Sequence, residues 1–311
     1  MKKKGTTQSA RFNLRVWICS ALICLLGISV HANIITVTNT NDSGPGSLRQ
    51  ALTDANDGDT IEFAVTGTIG LTSGELLVDK SITVSGPGAE NLAVNGNNQS
   101  RVFHIASGQT VTISGMTITN GHVSDSGGGI YNDHAVLILN DCTISDNSAT
   151  GNLGGGIHND GNNIGHATLQ INNSLITKNT GGIYNDALRA GTATLVITYS
   201  TLSNNNNGEA INNDGWSCTF CGNGTTSVQV INSSITGNPG GAIYSDTGRE
   251  NCAGSCPVTV SITNSTISGM AVECTTRLCR RQWSVIVRSA TTVPAFTTIT
   301  VHLERASSIP P

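Results

Sequence analysis

A seven-residue motif that returns at nearly constant intervals constrains the fold of this chain more than any other feature. It reads Gly-Gly-Gly-Ile-Tyr-Asn-Asp at residues 127–133, and further copies, the later ones degraded, begin at Gly154, Gly181, Gly208 and Gly240. The isoleucines of successive copies are 27, 26, 28 and 32 residues apart. Self-similarity with such a period is typical of solenoids, in which each repeat packs only on its neighbours.

Between these copies lie two further recurring segments. One alternates apolar and polar residues, as in 167–171, and the other has the pattern Ser-x-Ile-Thr-x-Asn, as in 233–238. Each repeat therefore contains three short strands with one apolar row facing inward. Asn and Gly between the strands suit turns, and stacked Asn side chains can form hydrogen-bonded ladders. The pattern predicts an all-β, right-handed parallel β-helix with rungs of about 26 residues.

Two other repeat folds fit the sequence less well. A leucine-rich repeat would show a denser leucine pattern, and a propeller blade needs four strands and about 40 residues. The three strands and shorter period of this chain favour the β-helix over both.

A short amphipathic helix is predicted to cap the first rung, because an open sheet edge would otherwise promote aggregation. Ser47 is a suitable N-cap residue. One face of the helix carries the apolar residues Leu48, Ala51, Leu52 and Ala55. We assign residues 33–59 to this N-terminal cap and 60–269 to a β-helix of about eight rungs.

The first 32 residues have the pattern of an export signal. Lys2, Lys3 and Lys4 begin a basic region, residues 16–30 are mainly apolar, and cleavage is expected after Ala32. The apolar stretch is short for a membrane span, and no second one follows in the sequence. We therefore expect an exported protein with no transmembrane segment in its mature chain, at the outer surface of a bacterium or beyond it.

The predicted coil is acidic. Between Asn33 and Gly269 there are 18 acidic and six basic side chains, although the net charge of the whole chain is only −4. Such a surface repels nucleic acid and anionic membranes, so nucleic-acid binding is not expected.

The repeat stops after Gly269, and residues 270–311 contain neither glycine nor asparagine. A C-terminal cap or anchor is one explanation. Codons permitted for 270–276, however, spell Gly-Gly-Gly-Val-Tyr-Asn when they are read two bases along, and those for 295–298 spell Gly-Ile-Tyr-Asn in the same shifted frame. We therefore expect a frameshifted or disordered tail in place of further rungs, which re-sequencing of the gene would test.

The aspartates that end the glycine-rich motif form the strongest candidate for a site. They are Asp133, Asp160, Asp186, Asp214 and Asp246. Stacking would bring their carboxylates about 5 Å apart, a spacing at which a bridging Ca²⁺ would offset their repulsion. The alternative, which we favour, is that each aspartate hydrogen-bonds the backbone of its own turn. We therefore expect no cofactor, with calcium as the one candidate.

Histidines and cysteines offer fewer signals. We expect the histidines of the coil to lie in different columns, with a loose cluster of histidine and acidic side chains as the alternative. They are His104, His122, His134, His158 and His166. Cys142 occupies a column of serines and is predicted to be a small packed thiol. Four cysteines in two loop insertions are disulfide candidates with the pairing left open, or less favourably a zinc site; they are Cys218, Cys221, Cys252 and Cys256.

Two segments carry a family resemblance over roughly residues 33–269. Residues 39–52, followed by Gly-Asp-Thr-Ile at 58–61, resemble the N-terminal segment of secreted bacterial β-helix proteins with a CSLREA-type leader, although Gly46 stands where that leader has cysteine. The Gly-Gly-x-Ile-Tyr-Asn rungs are similar to the repeats of polymorphic outer-membrane proteins and related right-handed β-helix surface proteins. These motifs are specific for architecture rather than activity.

The resemblance implies an adhesive, passenger or spacer role without catalysis, with an extracellular surface or a polysaccharide as partner. The alternative is a carbohydrate-active enzyme, either a polysaccharide lyase or a glycoside hydrolase. The acidic coil and its few basic residues argue against this alternative, because an acidic polysaccharide would be repelled. We accordingly assign no catalytic residue.

Overall fold

A computed structural model describes residues 32–151, 154–215, 224–246, 258–268 and 298–303, with the backbone alone for Asp246 and 298–303. Three long sheets and one helix make up this part of the chain. No helix in these ranges is long and apolar enough to cross a membrane.

The chain visits three sheets in turn, which we call sheets A, B and C. Sheet A contains Ile34–Val37, Thr60–Phe63, Thr83–Ser85, Thr110–Ser114, Val136–Asn140, His166–Asn172, Thr192–Thr198, Thr225–Ile231, Val258–Thr263 and Thr298–Leu303. Sheet B contains Gly67–Gly70, Leu92–Asn95, Thr117–Thr119, Thr143–Ser145, Leu175–Thr177, Thr201–Ser203, Ser234–Thr236 and Thr266–Ile267. Sheet C contains Leu76–Val78, Phe103–Ile105, Ile130–Asp133, Ile157–Asp160, Ile183–Asp186, Ile211–Asp214 and Ile243–Asp246. His122–Val123 and Ser148–Ala149 form a separate pair.

Neighbouring strands in each sheet are parallel and come from successive repeats, in register with the sequence motifs. Ile130 pairs with Ile157, and Ile157 pairs with Ile183, so the glycine-rich motifs stack directly on one another. The exception among the described strands is Thr298–Leu303, which pairs antiparallel with Val258–Thr263. The protein is therefore a right-handed parallel β-helix, as the repeat predicts.

The interior is a stack of aliphatic side chains. Each strand turns alternate residues inward, and Ile113, Leu139, Ile171 and Ile197 are completely buried on successive strands of sheet A. No single rung could remove its aliphatic row from water, so stacking provides the hydrophobic stabilisation.

Buried polar ladders run along all three corners of the coil. Between sheets C and A, Asn132 donates to Asn159 Oδ1 at 2.7 Å, and Asn159 donates to Asn185 Oδ1 at 2.7 Å. A second amide ladder lies between sheets B and C and contains Asn147, Asn179, Asn205 and Asn238. The ladder between sheets A and B contains Cys142, Ser174, Ser200, Ser233 and Ser265. Each ladder links the backbone or side chains of neighbouring rungs, which sets their register.

Cys142 is the one thiol in the serine ladder, and it is a packed residue as predicted. Its side chain is 2% exposed, and burial raises its pKa to about 11. The neighbouring turn residue Asp141 has a φ of 53°, and Asn173 has a φ of 48° at the same corner of the next rung. This left-handed backbone explains why the turns are rich in Asn and Asp.

The N-terminal helix is Leu48–Asp54, and Ser47 caps it by accepting a hydrogen bond from the Gln50 amide. Leu48, Ala51 and Leu52 are buried against the first rungs, as the amphipathic pattern predicts. Ile34–Val37 precedes the helix and already belongs to sheet A, whereas we expected the coil to begin at Thr60. The short alternating run at 34–37 gave too little repeat signal for this strand to be recognised.

The predictions for the two ends of the chain fall largely on residues that the structure does not describe. Residues 1–31 of the predicted export signal, which spans 1–32, lie outside the described ranges, as does most of the non-repeating tail. A frameshift and a cleavage after Ala32 therefore stay predictions.

Candidate functional site

The outer face of sheet C gathers most of the ionisable side chains that the sequence singles out. The strand register places Asp133, Asp160, Asp186, Asp214 and Asp246 at equivalent positions on successive rungs. A calcium role for this column stays a prediction.

A column of aromatic and imidazole rings runs beside the aspartates, two residues earlier on each strand. His104, Tyr131, His158 and Tyr184 stack with ring centroids 5.1, 5.3 and 4.9 Å apart. The expectation that the histidines lie in different columns is therefore wrong for His104 and His158. Both pair with Tyr131, because the 27-residue intervals from 104 to 131 and from 131 to 158 each equal one rung.

At the N-terminal end of the ring column, Glu75 lies between the side chains of Arg101 and His104. It accepts from Arg101 at 2.6 Å and contacts His104 Nδ1 at 3.1 Å. The hydrogen bond from His104 and the charge of Arg101 outweigh partial burial and lower the pKa of the Glu75 carboxyl. Arg101 is itself buried, and its guanidinium lies 5.0 Å from the Tyr131 ring centroid. This end of the column thus holds an ionised carboxylate in a preformed network.

In the middle of the face, the aspartates accept hydrogen bonds both from other rungs and from their own turns. Tyr131 donates to Asp160 Oδ2 at 2.6 Å, and the Asn162 backbone N–H, in the turn of Asp160 itself, donates to Asp160 Oδ1 at 2.9 Å. The Asn162 side chain donates to Asp186 Oδ2 at 2.7 Å. Burial, followed by the hydrogen bond to Asp160, raises the pKa of the Tyr131 hydroxyl far above its usual range, so it stays a neutral donor. The favoured turn role for the aspartates therefore describes Asp160 only in part, because its carboxylate also binds a neighbouring rung.

His134 and Asp133 form a pair at the edge of this face. His134 Nδ1 contacts Asp133 Oδ1, and His134 Nε2 contacts the Asn162 carbonyl at 2.7 Å. Partial burial lowers the His134 pKa, but the hydrogen bonds to Asp133 and Asn162 outweigh it and raise the pKa overall. Both ring nitrogens of His134 thus have protein partners.

Several buried atoms of the face lack such partners. In the described part of the chain, His158 Nε2, Asp186 Oδ1 and His104 Nε2 have no hydrogen bond. His158 and Asp186 are only 5% and 3% exposed. Unpaired buried polar atoms are rare and costly in native proteins, so this cluster requires an explanation beyond packing.

The remaining candidates lie elsewhere. His122 Nδ1 contacts Ser148 Oγ at 2.8 Å on the small two-stranded pair, and His166 is exposed on sheet A. The disulfide candidates Cys218, Cys221, Cys252 and Cys256 fall outside the described residues, so their pairing stays a prediction.

The outer face of sheet A differs from that of sheet C. Its longest strands, His166–Asn172, Thr192–Thr198 and Thr225–Ile231, present mainly threonine, serine, glutamine and asparagine to solvent. No Asp, Glu, Lys or Arg occurs on these three strands. Side-chain hydrogen bonds join the rungs, including one of 2.9 Å from Asn172 to Asn140. The result is a neutral, ordered surface, mainly of hydroxyl and amide groups, in which Val196 and Ile231 are also partly exposed.

A shallow depression of about 270 Å³ lies between the capping helix and the first strand of sheet C. Arg49, Leu52, Glu75, Leu77 and Lys80 are among its lining residues. Glu75 therefore belongs both to this depression and to the network around His104.

The chain matches no protein-family model and no curated protein. Among solved structures, it is similar to the ORF18 protein of Geobacillus virus E2, at 12% identity and a TM-score of 0.35, over 85% of this chain and 66% of that one. It is also similar to the pectate lyase Pel9A, at 14% identity and a TM-score of 0.32, over 79% of this chain and 80% of that one. A third match is a PL6-family alginate lyase, AlyGC, at 15% identity and a TM-score of 0.31, over 78% of this chain and 40% of that one. The chain thus spans just under two thirds of the first of these proteins. Identities and TM-scores this low say nothing about substrate or chemistry.

Proposed function

We propose that this protein is an exported β-helix that adheres to uncharged polysaccharide through the outer face of sheet A, without catalysing a reaction. The observation that carries the proposal is the neutral face formed by His166–Asn172, Thr192–Thr198 and Thr225–Ile231. Hydroxyl and amide groups both donate and accept hydrogen bonds, as sugar hydroxyls do.

Rigidity favours binding at this face. The strands hold their outward side chains at a regular spacing, and ladder hydrogen bonds such as the one from Asn172 to Asn140 restrict them further. A ligand that binds an ordered face immobilises fewer side chains, so less entropy is lost on association. A polysaccharide is itself periodic and could contact several rungs at once, which adds avidity.

Charge favours a neutral ligand. The coil carries 18 acidic and six basic side chains between Asn33 and Gly269, which disfavours acidic polymers. The three strands of the neutral face hold no carboxylate, and His166 is their one histidine. General acid–base catalysis by a carboxylate pair is therefore not available on this face.

The test is sedimentation of the purified protein with insoluble cellulose or chitin, compared with mobility shifts in gels that contain pectate or alginate. We expect binding to at least one neutral polymer. Thr194→Lys, in the centre of the face, should weaken that binding at least tenfold. Thr201→Lys makes the same change on the outer face of sheet B and should leave binding intact. The proposal would be refuted if the protein bound neither cellulose nor chitin. It would also be refuted if Thr194→Lys and Thr201→Lys weakened binding equally.

A second candidate function, a carbohydrate-active enzyme, is favoured by one observation. Glu75 lines an open depression and also contacts His104 and Arg101. An assay for cleavage of pectate, alginate and neutral glycans, with and without Ca²⁺, separates the two candidates. If the protein only adheres, we expect no cleavage. Cleavage that is abolished by Glu75→Gln would instead favour the enzyme, with its catalytic site at this end of sheet C.

A further inference from the structure

We propose that the outer face of sheet C contains a site for a divalent transition-metal ion of the Zn²⁺ class, with His158, Asp160 and Asp186 as ligands. One ligand atom from each residue lies within 4.8 Å of the other two. Zinc bonds to imidazole nitrogen and carboxylate oxygen are about 2.0–2.2 Å long, so small side-chain rotations would bring the three atoms onto one ion. His158 Nε2 and Asp186 Oδ2 are 3.8 Å apart, which suits two atoms that share an ion.

The unpaired atoms point to the same ion. His158, Asp160 and Asp186 are 5%, 8% and 3% exposed. His158 Nε2 and Asp186 Oδ1 have no hydrogen-bond partner, although burial of an imidazole and a carboxylate in this state is unfavourable. A cation would bind both lone pairs and offset the repulsion between the two carboxylates.

The surrounding groups hold the ligands in suitable orientations. Ser126 Oγ contacts His158 Nδ1 at 2.7 Å, and when Nδ1 donates its proton there, Nε2 carries the lone pair. Asn162 holds Asp186 Oδ2 at 2.7 Å, and Tyr131 holds Asp160 Oδ2 at 2.6 Å. Metal-binding histidines and carboxylates usually have such outer partners, which fix the tautomer and the ring orientation.

The ligand types favour zinc or a similar ion over calcium. Ca²⁺ takes six to eight oxygen ligands, whereas a buried imidazole with two carboxylates suits first-row transition metals. Three protein ligands would leave a fourth position open for water or another molecule.

The neighbouring group of Asp133, His134 and Asp160 is a weaker candidate, although its ligand atoms are equally close. Both nitrogens of His134 already contact protein oxygens, from Asp133 and from the Asn162 carbonyl. His134 therefore has no free lone pair to offer, whereas His158 does.

The experiment measures metal retained by the full chain after its cysteines are alkylated, which removes thiolate sites. The protein is equilibrated with a small excess of Zn²⁺ and desalted, and the metal is counted by mass spectrometry. Co²⁺ is then used as a spectroscopic probe. We expect about one Zn²⁺ per chain, and Co²⁺ absorption bands without the charge transfer that thiolate ligands produce.

Variants locate the ion. His158→Gln and Asp186→Asn should each lose retention, with circular dichroism reporting whether the coil is intact. Ser126→Ala keeps all three ligands and should weaken binding about 10- to 100-fold, as loss of an outer partner typically does. His122→Gln is the matched control, because His122 makes the same imidazole contact with a serine, at 2.8 Å, outside the cluster.

Unchanged zinc retention in His158→Gln, retention of calcium but not zinc, or no retained metal in the wild-type protein would overturn the site. Loss of zinc in His158→Gln with intact binding to neutral polysaccharide would leave the proposed adhesion standing, because the two faces belong to different sheets.

Discussion

Asn159 and Asp160 are consecutive residues on one strand, and they belong to two polar columns that behave in opposite ways. Asn159 faces inward and lies in an amide ladder with Asn132 and Asn185. Asp160 faces outward, and its carboxylate is held by Tyr131 and Asn162 rather than by the next aspartate. An amide donates and accepts, so identical side chains satisfy one another, whereas a carboxylate only accepts.

The comparison shows that stacking of the rungs accounts for the inner asparagine ladder but not for the outer aspartate column. In the inner ladder each amide donates to the oxygen of the next rung, and the one unpaired oxygen in the described part, Asn132 Oδ1, lies at its N-terminal end. The outer column repels itself unless donors or cations are brought to it, and it leaves the Asp186 Oδ1 atom buried and unpaired. Folding alone does not explain such a column, and the proposed metal site therefore lies in sheet C rather than at the corners.

The largest expected effect comes from breaking the inner ladder. Asn159→Ala removes hydrogen bonds to Asn185 and to the Thr194 carbonyl and leaves the Asn132 amide short of an acceptor. We expect the free energy of unfolding to fall by about 2–4 kcal/mol, because buried polar groups lose their partners. Chemical denaturation followed by circular dichroism measures the loss.

Asp160→Asn is the matched change one residue along the strand, measured in metal-free buffer. Its one amide oxygen can still accept from Tyr131, the hydrogen bond from the Asn162 backbone N–H is lost, and a buried charge is removed, so we expect a change of no more than about 1 kcal/mol. Equal losses in the two variants would mean that the inner and outer columns do not differ as described.

A smaller loss of stability is expected when the outer aspartate column loses the hydroxyl of Tyr131, which donates to Asp160. Tyr131→Phe removes the 2.6 Å hydrogen bond to Asp160 and keeps the ring that stacks between His104 and His158. Hydrogen bonds to charged groups contribute about 1.5–3 kcal/mol, so we expect a loss of about 1–3 kcal/mol in unfolding free energy.

Tyr199→Phe deletes a hydroxyl from an exposed residue and is the control for Tyr131→Phe. It should leave stability unchanged within about 0.5 kcal/mol. If Tyr131→Phe were equally silent, the carboxylate of Asp160 would not depend on donors from another rung.

The sequence was sufficient for the architecture because the repeat, the inward alternation and the corner asparagines all express the same stacking. It also aligned the aspartate column through Asp133 and its counterparts. It did not reveal the ring column, because His104 precedes the recognisable motifs and the tyrosine position is occupied by His158 in one rung and by Asn212 in another. Counting one rung of 27 residues back from Tyr131 leads to His104 and would have revealed the column.

Other parts of the site had no signal in the sequence at all. Ser126 and Asn162 lie in turns whose paths vary between repeats, and their contacts with His158 and Asp186 depend on how those turns fold over sheet C. The burial of the face, and hence the unpaired atoms, follows from the same turns. Periodicity describes the strands and cannot describe these irregular segments.

The smallest expected effect is a dependence of stability on pH from the pair at the edge of sheet C. The pKa of His134 in the folded protein is raised, since its contacts with Asp133 and the Asn162 carbonyl outweigh partial burial, and the charge of Asp160 adds to the increase. The stabilisation is therefore fully present below the ordinary histidine pKa of about 6.5 and is lost as pH rises through the higher folded-state value. Because His134 is partly exposed, we expect this stabilisation to be about 1 kcal/mol or less.

His134→Gln should flatten the decline in unfolding free energy above that pH. His166→Gln, at an exposed position on sheet A, should leave the profile of the wild-type protein unchanged. A wild-type profile that rises with pH across this range would show that the outer column gains nothing from a protonated imidazole, and that its carboxylates rely on neutral donors alone.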